Sequence, residues 1–166
     1  MKIAIDVFYR NDIAKIVAAT FNNWHDRSPT EIVIKHKMSI IEYIPGEFYK
    51  KELPCLTEII ANFDLNEIDV IIIDGYVYLN DDGNPGLGAY LYEYLKQKVS
   101  VIGVAKTPFH NNTKHVKEVY RGKSQQPLYI TAIGTDLGQA AKDVKSMYGE
   151  FRMPQILKLI DTETKK

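Results

Sequence analysis

The sequence holds a single cysteine, Cys55, among its 166 residues. That scarcity excludes a disulfide framework and any thiolate-rich zinc cluster. No internal repeat or low-complexity tract is present, which excludes solenoids and disordered tails. No apolar run approaches the roughly 18–20 residues of a membrane span. Met1 leads directly into a strand-like segment rather than a secretory signal, so the expected address is cytoplasmic. The four histidines, His25, His36, His110 and His115, share no metal-ligand spacing, and Gly83 to Gly88 lacks the Lys-Ser/Thr that would complete a phosphate loop. Net charge is missing too: 21 basic residues balance 21 acidic ones, which excludes a uniformly basic nucleic-acid coat.

What is present is enough for one core. The composition is 45% hydrophobic, and the length suits a single domain over residues 1–166. The charge balance conceals an asymmetry. Residues 1–94 carry 8 basic and 15 acidic side chains, and residues 95–166 carry 13 and 6. An acidic metal site beside a basic substrate track would produce this split, as would self-association, and the oligomeric state stays open.

Alternation and turn signals predict strands at 2–9, 14–21 and 31–38 with short connections, an antiparallel meander. An apolar stripe then predicts a helix over 47–63, with Pro54 kinking it or delaying its start. Val70 to Ile73 is a continuous β-branched run, the pattern of a strand buried on both faces. A helix over 87–98 and a buried strand over 99–105 complete a βαβ unit, which implies parallel pairing. A hairpin over 116–120 and 128–133 follows, then helices over 136–148 and 155–162. Gly and Asn place an exposed turn at 80–88. The order implies an α/β fold, a mixed β-sheet flanked by α-helices. A ribonuclease H-like fold has this order, and other α/β folds share parts of it.

Several acids fall where acids are costly. Asp74 closes the buried run before Gly75, at a strand carboxyl end, where α/β sheets build sites. Asp6 lies inside the first strand. Glu52 sits on the apolar stripe of its helix, and Asp161 borders the stripe of the last one. Each has a plain alternative: a turn cap for Asp74, a side chain reaching water for Glu52, a surface acid for Asp161. Together they describe carboxylates converging on one point, which a hard cation such as Mg²⁺ or Mn²⁺ would neutralise.

Tyr43-Ile44-Pro45-Gly46, followed by Lys51-Glu52-Leu53-Pro54, resembles the endonuclease V family. The resemblance continues through Ile73-Asp74-Gly75, Leu87-Gly88, Ile102-Gly103-Val104-Ala105-Lys106, Pro127-Leu128-Tyr129-Ile130, Gly134 and Arg152-Met153-Pro154, from Asp6 to Asp161. It implies a ribonuclease H-like fold and a divalent-metal endonuclease acting on inosine-containing DNA or RNA, typically at the second phosphodiester 3′ to the inosine. It implies Asp6, Glu52 and Asp74 as metal ligands, with Asp161 at a fourth acid position. Tyr43 matches the wedge that fills the gap left by a displaced base. Ile44, Pro45, Gly46, Gly75 and Gly88 match substrate-binding positions, and Lys106 matches a lysine near the phosphate. Those roles suit the chemistry: two cations can activate water and stabilise a departing oxygen, a lysine can neutralise phosphate oxygens, and an aromatic wedge offsets the cost of extruding a base.

The chain also departs from the family pattern. The usual N-terminal helical extension has no counterpart, Met1 lying five residues before Asp6. Tyr76, Val77 and the acidic stretch Asn80-Asp81-Asp82-Gly83-Asn84 stand where the family has a glycine-containing pair and then His-Pro-Arg. Val77 in a glycine's place would reshape the base site, Asp81 and Asp82 would repel a phosphate backbone, and Gly134-Thr135 replaces Gly-His. Lys114, Lys117, Arg121 and Lys123 form a cluster that could follow a phosphate backbone. Two alternatives therefore stay open: a ribonuclease H-like nuclease with another substrate, and a non-catalytic nucleic-acid-binding relative.

Overall fold

The structure is a computed structural model that describes residues 1–39, 42, 44, 45 and 47–166. The meander forms as expected: β1 (Lys2–Arg10), β2 (Ile13–Phe21) and β3 (Glu31–Met38) pair antiparallel in sequence. Helix α1 (Phe48–Ile60) leads through a short 3-10 turn, Leu65–Glu67, to β4 (Val70–Asp74). Helix α2 (Leu87–Tyr94) and β5 (Ser100–Ala105) complete the βαβ unit, and β6 (Lys117–Val119) with β7 (Leu128–Ile133) makes the hairpin. Helices α3 (Leu137–Ser146) and α4 (Gln155–Thr164) close the chain.

Among the described residues the strands form one sheet in the order β3-β2-β1-β4-β5-β7-β6. Its centre is parallel, β1 beside β4 beside β5, and its flanks are antiparallel. Strand alternation divides the core into two layers. Ile3, Ile5, Ile71 and Ile73 face Cys55, Leu56 and Ile59 of α1 and Leu91 of α2. Ala4, Ile72, Val104 and Leu128 face Val144 of α3 and Ile156, Leu157 and Ile160 of α4. The β-branched run of β4 is thus buried on both sides, each large side chain contributing roughly 1.5–3 kcal/mol.

Two expectations need adjusting. Pro54 sits inside α1, and the helix continues across it from Phe48 to Ile60, forgoing the one backbone bond a proline nitrogen cannot make. Helix α2 ends at Tyr94 rather than near Lys98. Lys96 and Gln97 adopt φ of 55° and 61°, and the Gln97 N–H returns to the Tyr92 carbonyl at 2.9 Å, so the chain turns there. Among the described residues no helix is long and apolar enough to cross a membrane.

Candidate active site

The site begins with a register. Ile5 of β1 pairs with Ile73 of β4 in parallel, and Ile73 pairs with Gly103 of β5. Asp6 and Asp74 are the next residues, and Lys106 follows β5 directly. All three share strand parity with Ala4, Ile72 and Val104, so they project to the α4 side. There they meet Asp161, and together the four rim a pocket of about 30 Å³ floored by Ile72, Val104, Leu157 and Ile160. That space suits a small ion or water rather than a base.

Glu52 approaches from the opposite layer. Its position on the apolar stripe buries it to 6% exposure, and Asp6 is buried to 9%. Among the described residues these acids have few hydrogen-bond partners. The Val7 N–H donates to Asp6 Oδ1 at 2.9 Å, and the Tyr9 hydroxyl reaches Glu52 Oε2 at 3.4 Å. Burial pushes the Asp6 pKa up to about 7, and the charge of Asp74 adds to it. Glu52 is pushed up to about 8 by burial, then by Asp74 and Asp6, against its bond from Tyr9. Asp74 keeps an exposed edge, yet the protein around its carboxylate still raises its pKa, with Lys106 opposing and Asp161 reinforcing.

Asp161 behaves differently. Burial would raise it, but the hydrogen bond from Lys165 and the charges of Lys106, Lys165 and Lys158 hold it below the usual carboxylate range. Lys165 Nζ lies 3.0 Å from Asp161 Oδ1 and Lys158 Nζ 3.6 Å from Oδ2. With a side chain only 15% exposed, it is a partly buried, paired acid rather than the surface acid that its position alone suggests. The four carboxylates and Lys106 thus sense one another as one electrostatic unit. Their chemistry is that of a hard, oxygen-ligated divalent cation. The acids stand as a spaced set, however: among the described residues no three Asp, Glu, His or Cys side chains are gathered closely enough to ring one ion.

The expected base-contacting positions either do not line this pocket or lie outside the described residues. Tyr43 and Gly46 are in the latter group. Ile44 and Pro45 are exposed, and the Ile44 carbonyl accepts the Glu47 N–H at 2.9 Å. Gly75 takes φ of 120°, and a Cβ there would meet nothing within 4 Å, so the backbone beside Asp74 faces open space. Gly88 is buried instead, and a Cβ on it would lie 2.6 Å from Val77 Cγ2. Val77 is itself fully buried, with its N–H donated to Thr131 Oγ1 at 2.8 Å. This pair packs α2 against the loop that follows β4.

Two charge-based expectations change, and one of exposure. Arg121 does not face solvent with Lys114, Lys117 and Lys123. It is 5% exposed, and its guanidinium donates to the carbonyls of Lys145, Met147, Gly149, Phe151 and Arg152. Asp81 is not a free acid, since it accepts from Thr113 N (2.6 Å), Thr113 Oγ1 (2.9 Å) and Lys114 N (2.8 Å). The 80–88 turn is exposed only in part, because Gly86, Leu87 and Gly88 are buried.

Two contributors were given no role from the sequence. Tyr9 shares strand parity with Ile5 and Val7, which places it on the α1 side with Glu52, so the alternation contained the signal. Arg152 donates through Nη2 to the Lys106 carbonyl and through Nε to the Pro127 carbonyl at 3.1 Å. No local pattern announces that contact.

Comparison with known proteins follows the same geometry. A family model described as Endonuclease V matches residues 3–161. Endonuclease V of Ciona intestinalis, solved in complex with a 24mer DNA containing an inosine followed by a ribo-adenosine, has a TM-score of 0.81 at 16% identity, covering 99% of this chain and 84% of that one. Human ENDOV gives 0.75 at 18% identity, covering 99% and 82%. Bacillus subtilis endonuclease V gives 0.71 at 19%, covering 99% and 78%. At these identities the likeness establishes the ribonuclease H-like fold. No curated protein matches the sequence.

Proposed function

The chain belongs to the endonuclease V family, and from that premise we propose that it is a Mg²⁺-dependent endonuclease, with Mn²⁺ able to substitute, hydrolysing a phosphodiester near inosine in DNA or RNA. The observation that carries this reading is the placement of Asp6, inside β1, and Asp74, at the end of β4, each one residue past the paired Ile5 and Ile73, with Lys106 and Asp161 on the same rim. We read residues 1–166 as one catalytic unit.

Asp6, Glu52 and Asp74, with Asp161 as a fourth donor, would hold the cation by drawing in from the spacing seen here. When bound, it lowers the pKa of water and stabilises a departing oxygen. The residues themselves supply the rest. Lys106 stands beyond β5 where its ammonium can neutralise non-bridging phosphate oxygens as charge builds on them. Arg152 fixes that lysine through its carbonyl. Ile72, Val104, Leu157 and Ile160 exclude solvent beneath the acids, which strengthens every charge interaction above them. The complex formed by Ciona endonuclease V supports a nucleic-acid partner. The family resemblance gives Tyr43 the role of a wedge in the gap beside an extruded base, and the open space at Gly75 leaves room for close approach.

The test is cleavage of end-labelled DNA and RNA, each with one inosine or none, in Mg²⁺, Ca²⁺ or chelator. Cutting that requires inosine and Mg²⁺ and disappears in Asp74→Ala supports the reading. Equal cutting of inosine-free strands would assign another substrate. Strands left intact under every condition would remove the enzyme reading.

A further inference from the structure

Phe151 is 77% exposed, an unusual setting for a phenyl ring beside a candidate active site. Its backbone is nevertheless held firmly. The buried Arg121 guanidinium donates to five carbonyls between residues 145 and 152, including that of Phe151 at 2.6 Å. Gly122, at φ of 58°, lies against the same segment, and a Cβ on it would fall 2.0 Å from the Glu150 carbonyl. The next residue, Arg152, reaches the Lys106 carbonyl, and Met153 lines the acid pocket. The ring is therefore presented at a fixed offset from the acids.

Phe151 also forms a ridge between two open grooves, of about 790 and 890 Å³. Lys158 and Lys166 border one and Lys123 the other, with Arg152 bordering both. The acids among them are Glu150 and Glu163, and Glu163 is already paired with Lys15 and Lys166. Tyr148, the nearest other aromatic on the ridge, has the Arg27 guanidinium 5.0 Å from its ring centre. An exposed phenyl ring flanked by cations, with Tyr148 beside it under Arg27, is unlike the contiguous apolar patch that a protein partner buries. It has the two elements used for unpaired nucleic acid: a π-face for a base and cations for the phosphates on either side.

We propose that Phe151 is a stacking platform for an unpaired base of the bound strand, with Lys123 attending one neighbouring phosphate and Lys158, which also pairs with Asp161, the other. This rests on the nucleic-acid reading above. Anisotropy of labelled single-stranded 12-mers, with one inosine or none and with Ca²⁺ in place of Mg²⁺, tests it on the full chain. Phe151→Ala should weaken binding about tenfold for both strands, because stacking tolerates any base. Phe151→Leu, apolar but without a π-face, should be comparably weak, and Phe151→Trp should bind like wild type with its emission quenched by the strand. Wild-type affinity in the Leu or Ala variant, or an unquenched Trp, overturns the proposal while leaving the enzyme reading intact. A wild type that binds no strand overturns both. A dimer lost in Phe151→Ala would assign the ridge to a second copy of the chain and overturn the stacking role.

Discussion

Asp6 of β1 and Asp74 of β4 each stand one residue past Ile5 and Ile73, which pair in parallel across the two adjacent strands. Parity sends both carboxylates to the same face; burial raises the pKa of each, with the charge of Asp74 adding to the rise at Asp6, and Lys106 opposing and Asp161 reinforcing the rise at Asp74. Nothing in folding energetics favours two like charges there. Keeping them there costs stability, the kind of local conflict expected of a candidate functional site.

That conflict predicts opposite effects of one substitution. Asp74→Asn and Asp6→Asn should each lower cleavage by about 100-fold or more, on the scale of losing metal-site residues. Each should also raise the melting midpoint of chelator-treated protein at pH 8, since a repelling charge is removed. Paired rate and thermal-denaturation measurements decide it. Loss of both activity and stability would mean that these acids are structural.

The same acids set a pH dependence. Asp6, pushed up to about 7, and Glu52, pushed up to about 8, lie above their ordinary values of 3.8 and 4.5. Groups raised on folding stabilise the fold below the unfolded pKa, and that stabilisation is lost as pH rises through the folded one. Asp161 acts in the other sense, its contribution present above about pH 4 and lost below, because its lysines hold it low. In chelator the midpoint should therefore fall between pH 5 and pH 8.5, by an amount worth on the order of a few kcal/mol. Mg²⁺ or Mn²⁺ should restore more at pH 8.5 than at pH 5. An equal cation effect at both pH values would argue against binding at these carboxylates.

Arg121 carries a purely structural prediction. Burial lowers its pKa, and its charge is shared among five carbonyls rather than with a carboxylate. Arg121→Met keeps volume but leaves those carbonyls without their donor, and should cost about 3–5 kcal/mol. Arg121→Lys should recover part of the loss, since one ammonium cannot span the same fan of acceptors. Urea denaturation of the three proteins checks the ranking.

The contrast between Arg121 and Asp6 explains what was legible in the sequence. Asp6 and Asp74 could be read locally, because a strand's parity and its buried run fix where an acid in it must point. Glu52 was legible from the helical stripe in the same way. Arg121 was not: a basic residue in a hairpin looks like any solvated cation until the 145–152 segment packs against it. Asp161 showed its helix position but not its two lysine partners. Lys96 and Gln97 read as helix because left-handed backbone at a helix end leaves little trace in residues that also favour helices.

Asp81 and Asp82 give the last test, since the sequence presents them as an equal pair and the structure does not. Asp81 is committed to Thr113 and Lys114, and those bonds hold its pKa below the ordinary value. Its charge therefore serves to join the 80–84 and 111–114 segments. Asp82 lies exposed beside it, its backbone N–H donated to Asn80 Oδ1 at 3.1 Å. Asp81→Ala should lower the melting midpoint and speed hydrogen exchange at Thr113 and Lys114, whose N–H groups lose their acceptor. Asp82→Ala should leave both unchanged while strengthening strand binding about twofold at low salt, an effect that screening removes at high salt. If the two variants instead tighten binding equally and leave exchange alone, Asp81 acts as a free charge and its joining role is wrong.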